Sequence, residues 1–492
     1  MAKNSSRSNK KKSQTVQDKP VATKRKSWSL LAVKFLLLFA AVLSVVYFTD
    51  TKGYFEPDQN NDHTSRKWDS FYKLTETETV DVVLVGNSHC YAGVNPKNLS
   101  AALGATSFVL ASPGTTIMDS YFCLKEALER THPTVAIIET YGISNTVNRE
   151  LTTEDLSDQF KSFDARKNFP VKLASMPVLF SAEHFIPAWS KTIRNHDFIF
   201  RDREQIKKNI AQSRHKPKKK EEKLYLGRFV RFATGLEDST MVKYDSLGAP
   251  VDGTEREING ENGTYVRKIV EICNQHHVTP VFVTLPMYYR HIANYPAWKE
   301  TVASVVEPTG AAWLDLQEPY DYVTFDRDCF ENTMNPNQHM TYRGSLRSSY
   351  KIAHFLVDSL KIDLPKRSAT KHWNELFYGE EGYFENYPSR KDDQTNMLLC
   401  KNITINGIEI ADCLMCKKEN RNAVLLKVKR GSRDESPADH IQLFVKLRYQ
   451  GNYYTTTLNC ALQPDYNPIN HYLYGVNITK GAEILEITDV RN

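Results

Sequence analysis

The sequence predicts an α/β protein: a three-layer α/β/α sandwich around a parallel sheet, preceded by one transmembrane helix and followed by an all-β module. Three observations carry this. Between residues 76 and 365, short runs that are apolar on both faces alternate with amphipathic helical stretches, the pattern of a parallel sheet covered on both sides. After Pro365 the segments become short, alternating and rich in β-branched and aromatic residues. Near the start, the run from Trp28 to Phe48 carries one charge, Lys34. The 492 residues suffice for two or three folded units, and 41% apolar with 25% charged residues is ordinary globular composition.

Taken in order, residues 1–27 form a basic tail. Residues 1–49 hold ten Lys/Arg against Asp18 alone, a net charge of +9, which leaves −3 for the rest of a chain whose total is +6. A nucleic-acid groove needs its positive charge on the folded part, so no nucleic-acid partner is expected. Residues 28–48, as a helix, span about 30 Å, the thickness of a bilayer's hydrocarbon core. Lys34 sits close enough to the basic side to snorkel. The basic flank before the run and Asp50 after it orient the tail to the cytoplasm and everything later to the outside, as a single-pass membrane protein. A cleaved signal peptide is the rival reading, but the apolar run is longer than usual and "SVVYFTD" offers no small-x-small cleavage site. Residues 49–75 are polar, lack a clear period and read as a linker.

Residues 76–365 carry the sheet. Val82 to Val85, "SFVLAS", "TVAIIETYG", "VTPVFVTLP" and "AAWLDL" read as strands; "TTIMDSYFCLKEALERT", "TYVRKIVEICNQHH" and "TYRGSLRSSYKIAHFLVDSL" read as helices. Residues 146–258 interrupt the pattern. An excursion of that length is expected to contribute helices that cap the sheet's ligand edge, with "HKPKKKEEK" as a solvated loop. Residues 366–492 are expected to form a β-sandwich whose tyrosines (Tyr449, Tyr453, Tyr454, Tyr472, Tyr474) either fill its core or stack on sugar. The eight cysteines fit disulfides or buried thiols better than zinc: Cys413 and Cys416 have CxxC spacing, but no second pair follows at metal spacing. No metal or cofactor is expected.

In an open parallel sheet, ligands bind beyond the carboxyl ends of the strands, and three segments fall there. Gly86-Asn87-Ser88-His89 follows Val82 to Val85, and the glycine permits a sharp turn that presents Ser88 with backbone N–H groups behind it. Pro113-Gly114-Thr115 brings a further N–H to the same region. Asn337-Gln338-His339, before the last helix, delivers His339 as a general base for Ser88. His89, His276 and His277 read as structural or exposed.

On these residues the sequence resembles the SGNH (GDSL-like) hydrolase superfamily, particularly its membrane-anchored extracytoplasmic branch. "VVLVGNSHCYAGVNP" resembles the nucleophile block and "NQHMTYRGSLRSSYKIAHFL" the terminal histidine block; the likeness covers residues 78–145 and 260–358. The resemblance implies the three-layer sandwich, Ser88 as nucleophile, His339 as base, and the amides of Ser88 and Gly114 as oxyanion donors. Departures exist. Asn87 stands where the family usually has Asp, and Pro336 where Asp usually precedes the histidine by three. Asn337 matches the Asp of Asp-x-His members but is neutral, so Asp326, Asp328 or a backbone carbonyl is left to orient His339. The Gly-x-Asn-Asp block is missing, and Glu139, Thr140 and Asn145 are its nearest candidates, with Asn145 taken as the third oxyanion donor.

The resemblance implies a serine esterase or O-acyltransferase acting on acyl, chiefly acetyl, esters of cell-surface carbohydrate. A transferase would need a partner membrane acyltransferase to supply the acyl donor. The alternative is a non-catalytic surface protein that keeps the fold and binds or assembles polysaccharide.

Overall fold

The computed structural model describes residues 22–57, 63–144, 156–214, 226–227, 258, 260–288, 295–319, 325, 327–332, 339–367, 370, 372, 396–417, 422–429, 438, 440–462 and 471–491. The chain forms two compact units, residues 1–57 with 190–217, and residues 58–189 with 218–492.

The first unit is built on a helix, Ala22–Thr51, of which Trp28–Thr51 is long and apolar enough to cross a membrane. Its apolar side chains are exposed on every face from Trp28 to Val45, the pattern of a helix made for an apolar solvent. Residues 190–214 of the expected insertion complete this unit as short helices, Lys191–Arg194, Phe198–Arg201 and Arg203–Arg214.

The second unit holds a five-stranded parallel sheet: β1 (Val82–Val85), β2 (Ser107–Val109), β3 (Val135–Glu139), β4 (Thr279–Thr284) and β5 (Ala312–Asp315), in the order β2-β1-β3-β4-β5. Alternate residues of each strand enter two separate cores. Val82, Leu84, Val135, Ile137, Val281 and Val283 face one side, with Leu99, Leu346 and Tyr350. Val83, Val85, Ala136, Ile138 and Phe282 face the other, with Ile117, Phe122, Val266 and Ile269. Both faces are therefore covered by helices, which is why the strands read as unbroken apolar runs. Strand order reverses between β1 and β3, so the crevice at their carboxyl ends is the topological switch point.

Helix His63–Leu74 corrects the linker reading of residues 49–75. Trp68 and Phe71 are fully buried there, and so is Lys67. The polar letters of this stretch conceal the period, because one buried position is a lysine whose Nζ donates to Ala111 O at 2.6 Å. In the insertion, helices Ser157–Ala165 and Phe169–Leu179 belong with the sheet, fastened by a buried Arg166–Asp119 ion pair of 2.6 Å. The lysine run at 215–223 lies outside the described residues.

The C-terminal module is one antiparallel sheet, which corrects the expectation of two face-packed sheets. It comprises β6 (Asn396–Ile405), β7 (Ile408–Lys417), β8 (Asn422–Lys429), β9 (His440–Tyr449), β10 (Asn452–Leu462), β11 (His471–Ile478) and β12 (Glu483–Arg491), ordered β12-β9-β10-β11-β8-β7-β6. The sheet curls until its ends approach, where Asn406 Nδ2 donates to Val490 O at 3.2 Å, giving a near-barrel. Alternation supplies its interior: Ile441, Leu443 and Val445 of β9 are buried between exposed His440, Gln442 and Lys446. Two hairpins turn on residue pairs with positive φ, Asn406-Gly407 and Gln450-Gly451, which match the right-handed strand twist. Tyr472 and Tyr474 are core residues, whereas Tyr453 and Tyr454 face solvent.

Candidate active site

β1 ends at Val85, and Gly86 turns the chain with φ +154°. A Cβ at this position would sit 2.5 Å from Glu139 Cβ, so any side chain would collide with the end of β3. Asn87 then caps a short helix, Ser88–Gly93, its side-chain oxygen accepting the His89 N–H at 2.9 Å. Asn87 therefore does structural work for the turn. Ser88 is half-buried at the first helical position, at the carboxyl end of β1 and beside the switch point.

His339 reaches the same region on an antiparallel bridge, Phe330 opposite Met340. That register sets Glu331 opposite His339. The Glu331 N–H donates to His339 O at 2.9 Å, and the His339 N–H donates to Glu331 Oε1 at 3.1 Å. The same carboxylate oxygen lies 3.0 Å from His339 Nδ1. Glu331 and His339 are both buried. A carboxylate only accepts, so Nδ1 is the donor and Nε2 carries the lone pair of the neutral imidazole. His339 Nε2 is buried without a hydrogen-bond partner. The ring is held by stacking: His89 lies with its centroid 5.2 Å away at 23°, and Tyr91 at 6.5 Å and 13°. Beyond them, His89 packs on Tyr141 at 4.9 Å, and the Lys67 ammonium sits 4.0 Å from the Tyr91 centroid. Burial, reinforced by Glu139 and opposed by Lys67, pushes the Cys90 thiol well above its ordinary range, so Cys90 is an unreactive thiol.

The two sequence blocks meet. The terminal helix, Tyr342–His354, is clasped to the nucleophile block by the Ser348 hydroxyl donating to Gly93 O and by the Asn95 N–H donating to Ser349 Oγ at 2.9 Å. The direct Ser88–His339 hydrogen bond that the sequence reading requires is not made, since Nε2 has no partner. The described contacts between the first block and the imidazole are the stacked rings of Tyr91 and of His89, the latter a residue the sequence reading set aside as structural or exposed.

Other expected residues fare differently. Gly114 is an exposed turn residue with φ +61°, and its Cβ position would lie 3.3 Å from Asp158 Oδ2. That carboxylate is paired with Lys161 Nζ at 2.9 Å. Glu139 Oε1 accepts the Tyr141 N–H at 2.6 Å, and Thr140 Oγ1 bonds Thr284 Oγ1 at 2.6 Å, so both hold the end of β3 in place. Asn145, Asn337 and Asp326 lie outside the described residues, as does the side chain of Asp328. Among the described residues no group of three His, Cys, Asp or Glu is placed to hold a metal. Glu331 was missed because nothing in its spacing marks it; it precedes His339 by eight residues, and only the bridge register brings them together.

No family model matches this chain, and no curated protein does. Among solved structures, the chain aligns with a two-domain esterase active on acetylated mannans, co-crystallized with mannopentaose, over 85% of this chain and 91% of that one, at 7% identity and a TM-score of 0.24.

Proposed function

We propose that this chain is a membrane-anchored, extracytoplasmic serine esterase or O-acyltransferase of the SGNH type, acting on acyl esters of cell-surface carbohydrate. The observation that supports it most is the state of His339: buried, with Nδ1 engaged by Glu331, Nε2 without a hydrogen-bond partner, and its ring stacked on His89 in the first turn of the Ser88 helix. In this reading Ser88 Oγ attacks the ester carbonyl while His339 Nε2 takes its proton. The carbonyl π electrons move to oxygen and return as the bond to the leaving alcohol breaks, and His339 protonates that alkoxide. The acyl group then passes from Ser88 to water or to a sugar hydroxyl activated by the same imidazole. Glu331 takes the role that Asn337 cannot fill, stabilising the imidazolium and holding its tautomer. The amides of Ser88 and Gly114, with Asn145, are the proposed oxyanion donors. Carbohydrate as substrate rests on the sequence resemblance, as does a membrane acyltransferase partner for the transferase variant.

A second reading, a non-catalytic polysaccharide-binding surface protein, is favoured by one observation: the Ser88 hydroxyl does not engage Nε2. Turnover of p-nitrophenyl acetate by the full chain in detergent separates the two. Ser88→Ala and His339→Ala are expected to lower turnover by at least about a hundredfold, the scale of a lost nucleophile or base. Glu331→Gln, which keeps the shape and removes the charge, is expected to lower kcat by about tenfold or more with KM little changed. Equal turnover by all four proteins leaves the binding reading standing.

A further inference from the structure

The segment that closes the first unit points to a second membrane contact, distinct from the helix Trp28–Thr51. Residues 190–214 are fastened to the outer end of that helix by a ladder of hydrogen bonds. Asp50 Oδ1 accepts both the N–H and the hydroxyl of Thr192 at 2.6 Å, and Thr49 Oγ1 bonds Thr192 Oγ1 at 2.8 Å. Lys191 Nζ pairs with Glu56 at 2.8 Å, Asn195 Nδ2 donates to Phe55 O at 2.9 Å, and Asn209 Nδ2 donates to Tyr54 O at 3.0 Å and Glu56 O at 2.8 Å. Each anchor lies between Thr49 and Glu56, where an apolar helix ending at Thr51 gives way to a polar turn. If that helix spans a bilayer, the segment is held at the height of the headgroups.

Its composition suits that height. Helix Phe198–Arg201 buries Phe198 but leaves Phe200 80% and Ile199 43% exposed. Residues 190–214 carry seven Lys/Arg and three Asp/Glu, a net of +4. Exposed aromatic and branched side chains on a short cationic helical segment are what an interfacial element presents to lipid. Tyr47 and Phe48, exposed at the adjoining end of the apolar helix, form the start of an aromatic belt at the same level. A purely aqueous position would leave Phe200 the most solvent-exposed large apolar residue among the described residues.

We infer that residues 190–214 are an interfacial collar on the outer leaflet, with Phe200 and Ile199 in the boundary between headgroups and acyl chains and the lysines and arginines near lipid phosphate. This rests on the reading of Trp28–Thr51 as a membrane span. The collar would fix the depth of residues 49–56 in the bilayer rather than leave them as a free tether.

The test uses the full chain in phosphatidylcholine/phosphatidylglycerol vesicles doped with a phospholipid bearing a diazirine on the upper acyl chain. Photolabelled peptides are mapped by mass spectrometry. Label is expected on residues 28–51 and also on residues 198–201. Ile199→Asn with Phe200→Asp is expected to cut the second signal by about tenfold or more, the scale of losing two inserted apolar side chains, while the first is unchanged. Label on 28–51 alone in the unaltered protein overturns the collar. Label on neither overturns the span reading itself.

Discussion

At the scale of single residues, the decisive pair is Glu331 and His339. A hydrogen bond from Nδ1 to a buried carboxylate fixes the tautomer that leaves Nε2 unpartnered and keeps the ring from rotating, and the stacked His89 and Tyr91 rings add a second restraint. Another residue-scale consequence concerns the cysteines. Cys400 and Cys413 face each other across the β6–β7 ladder. The hydrogen bond between these thiols holds Cys400 below its ordinary value, and together with burial it pushes Cys413 well up. Cys400 is half-buried, while the other described cysteines are buried. Native-state alkylation with iodoacetamide is therefore expected to reach Cys400 first among them. Its rate should rise at lower pH than for a free thiol, because a depressed thiol exposes its thiolate earlier. Labelling of Cys413 before Cys400 would contradict this.

At the scale of elements, the helix His63–Leu74 shows how a polar sequence can be core. Trp68 is fully buried, packing at 5.5 to 5.8 Å centroid distance against Tyr72 and Phe71, while Phe71 meets Phe108 of β2 at 5.2 Å. Trp68→Ala is expected to cost about 3–5 kcal/mol, read as a lower denaturation midpoint with an unchanged slope. A loss below about 1 kcal/mol, typical of surface sites, would place this helix outside the core. The strands were readable because burial on both faces demands unbroken apolar residues. The helix was not, because Lys67 satisfies its ammonium on a backbone carbonyl and an aromatic face, so its burial leaves no apolar trace. Curling of the C-terminal sheet was equally hidden, since alternation reports that one face is buried without reporting what covers it.

At the scale of the whole molecule, the chain's charge and its contacts divide it in two. The basic excess lies in residues 1–49, and residues 190–214 leave the sheet to join that first unit. A chain starting at residue 58 would lose Asp50, Glu56 and the carbonyls of Tyr54 and Phe55, which hold the segment. Limited trypsin digestion of that shortened chain is expected to cut rapidly at Arg201, Arg203, Lys207 or Lys208, sites that resist in the full chain. The sheet-bearing fragment should persist. Equal protection of residues 190–214 in both proteins would show that the segment needs no partner from residues 49–56.

The sequence by itself determined the parallel sheet, the presence of a β module, the apolar helix, and the two blocks that carry Ser88 and His339. Each leaves a local signature: a run, an alternation, a length, or a turn residue next to a strand end. Tertiary structure alone decided that Glu331 faces His339, that His89 stacks on it, that Gly114 lies beside Asp158, and that part of the insertion belongs to the first unit, with the apolar helix. These are pairings set by register and packing between segments distant in the chain, and a residue's neighbours in sequence hold no record of which side chain the fold will bring opposite it.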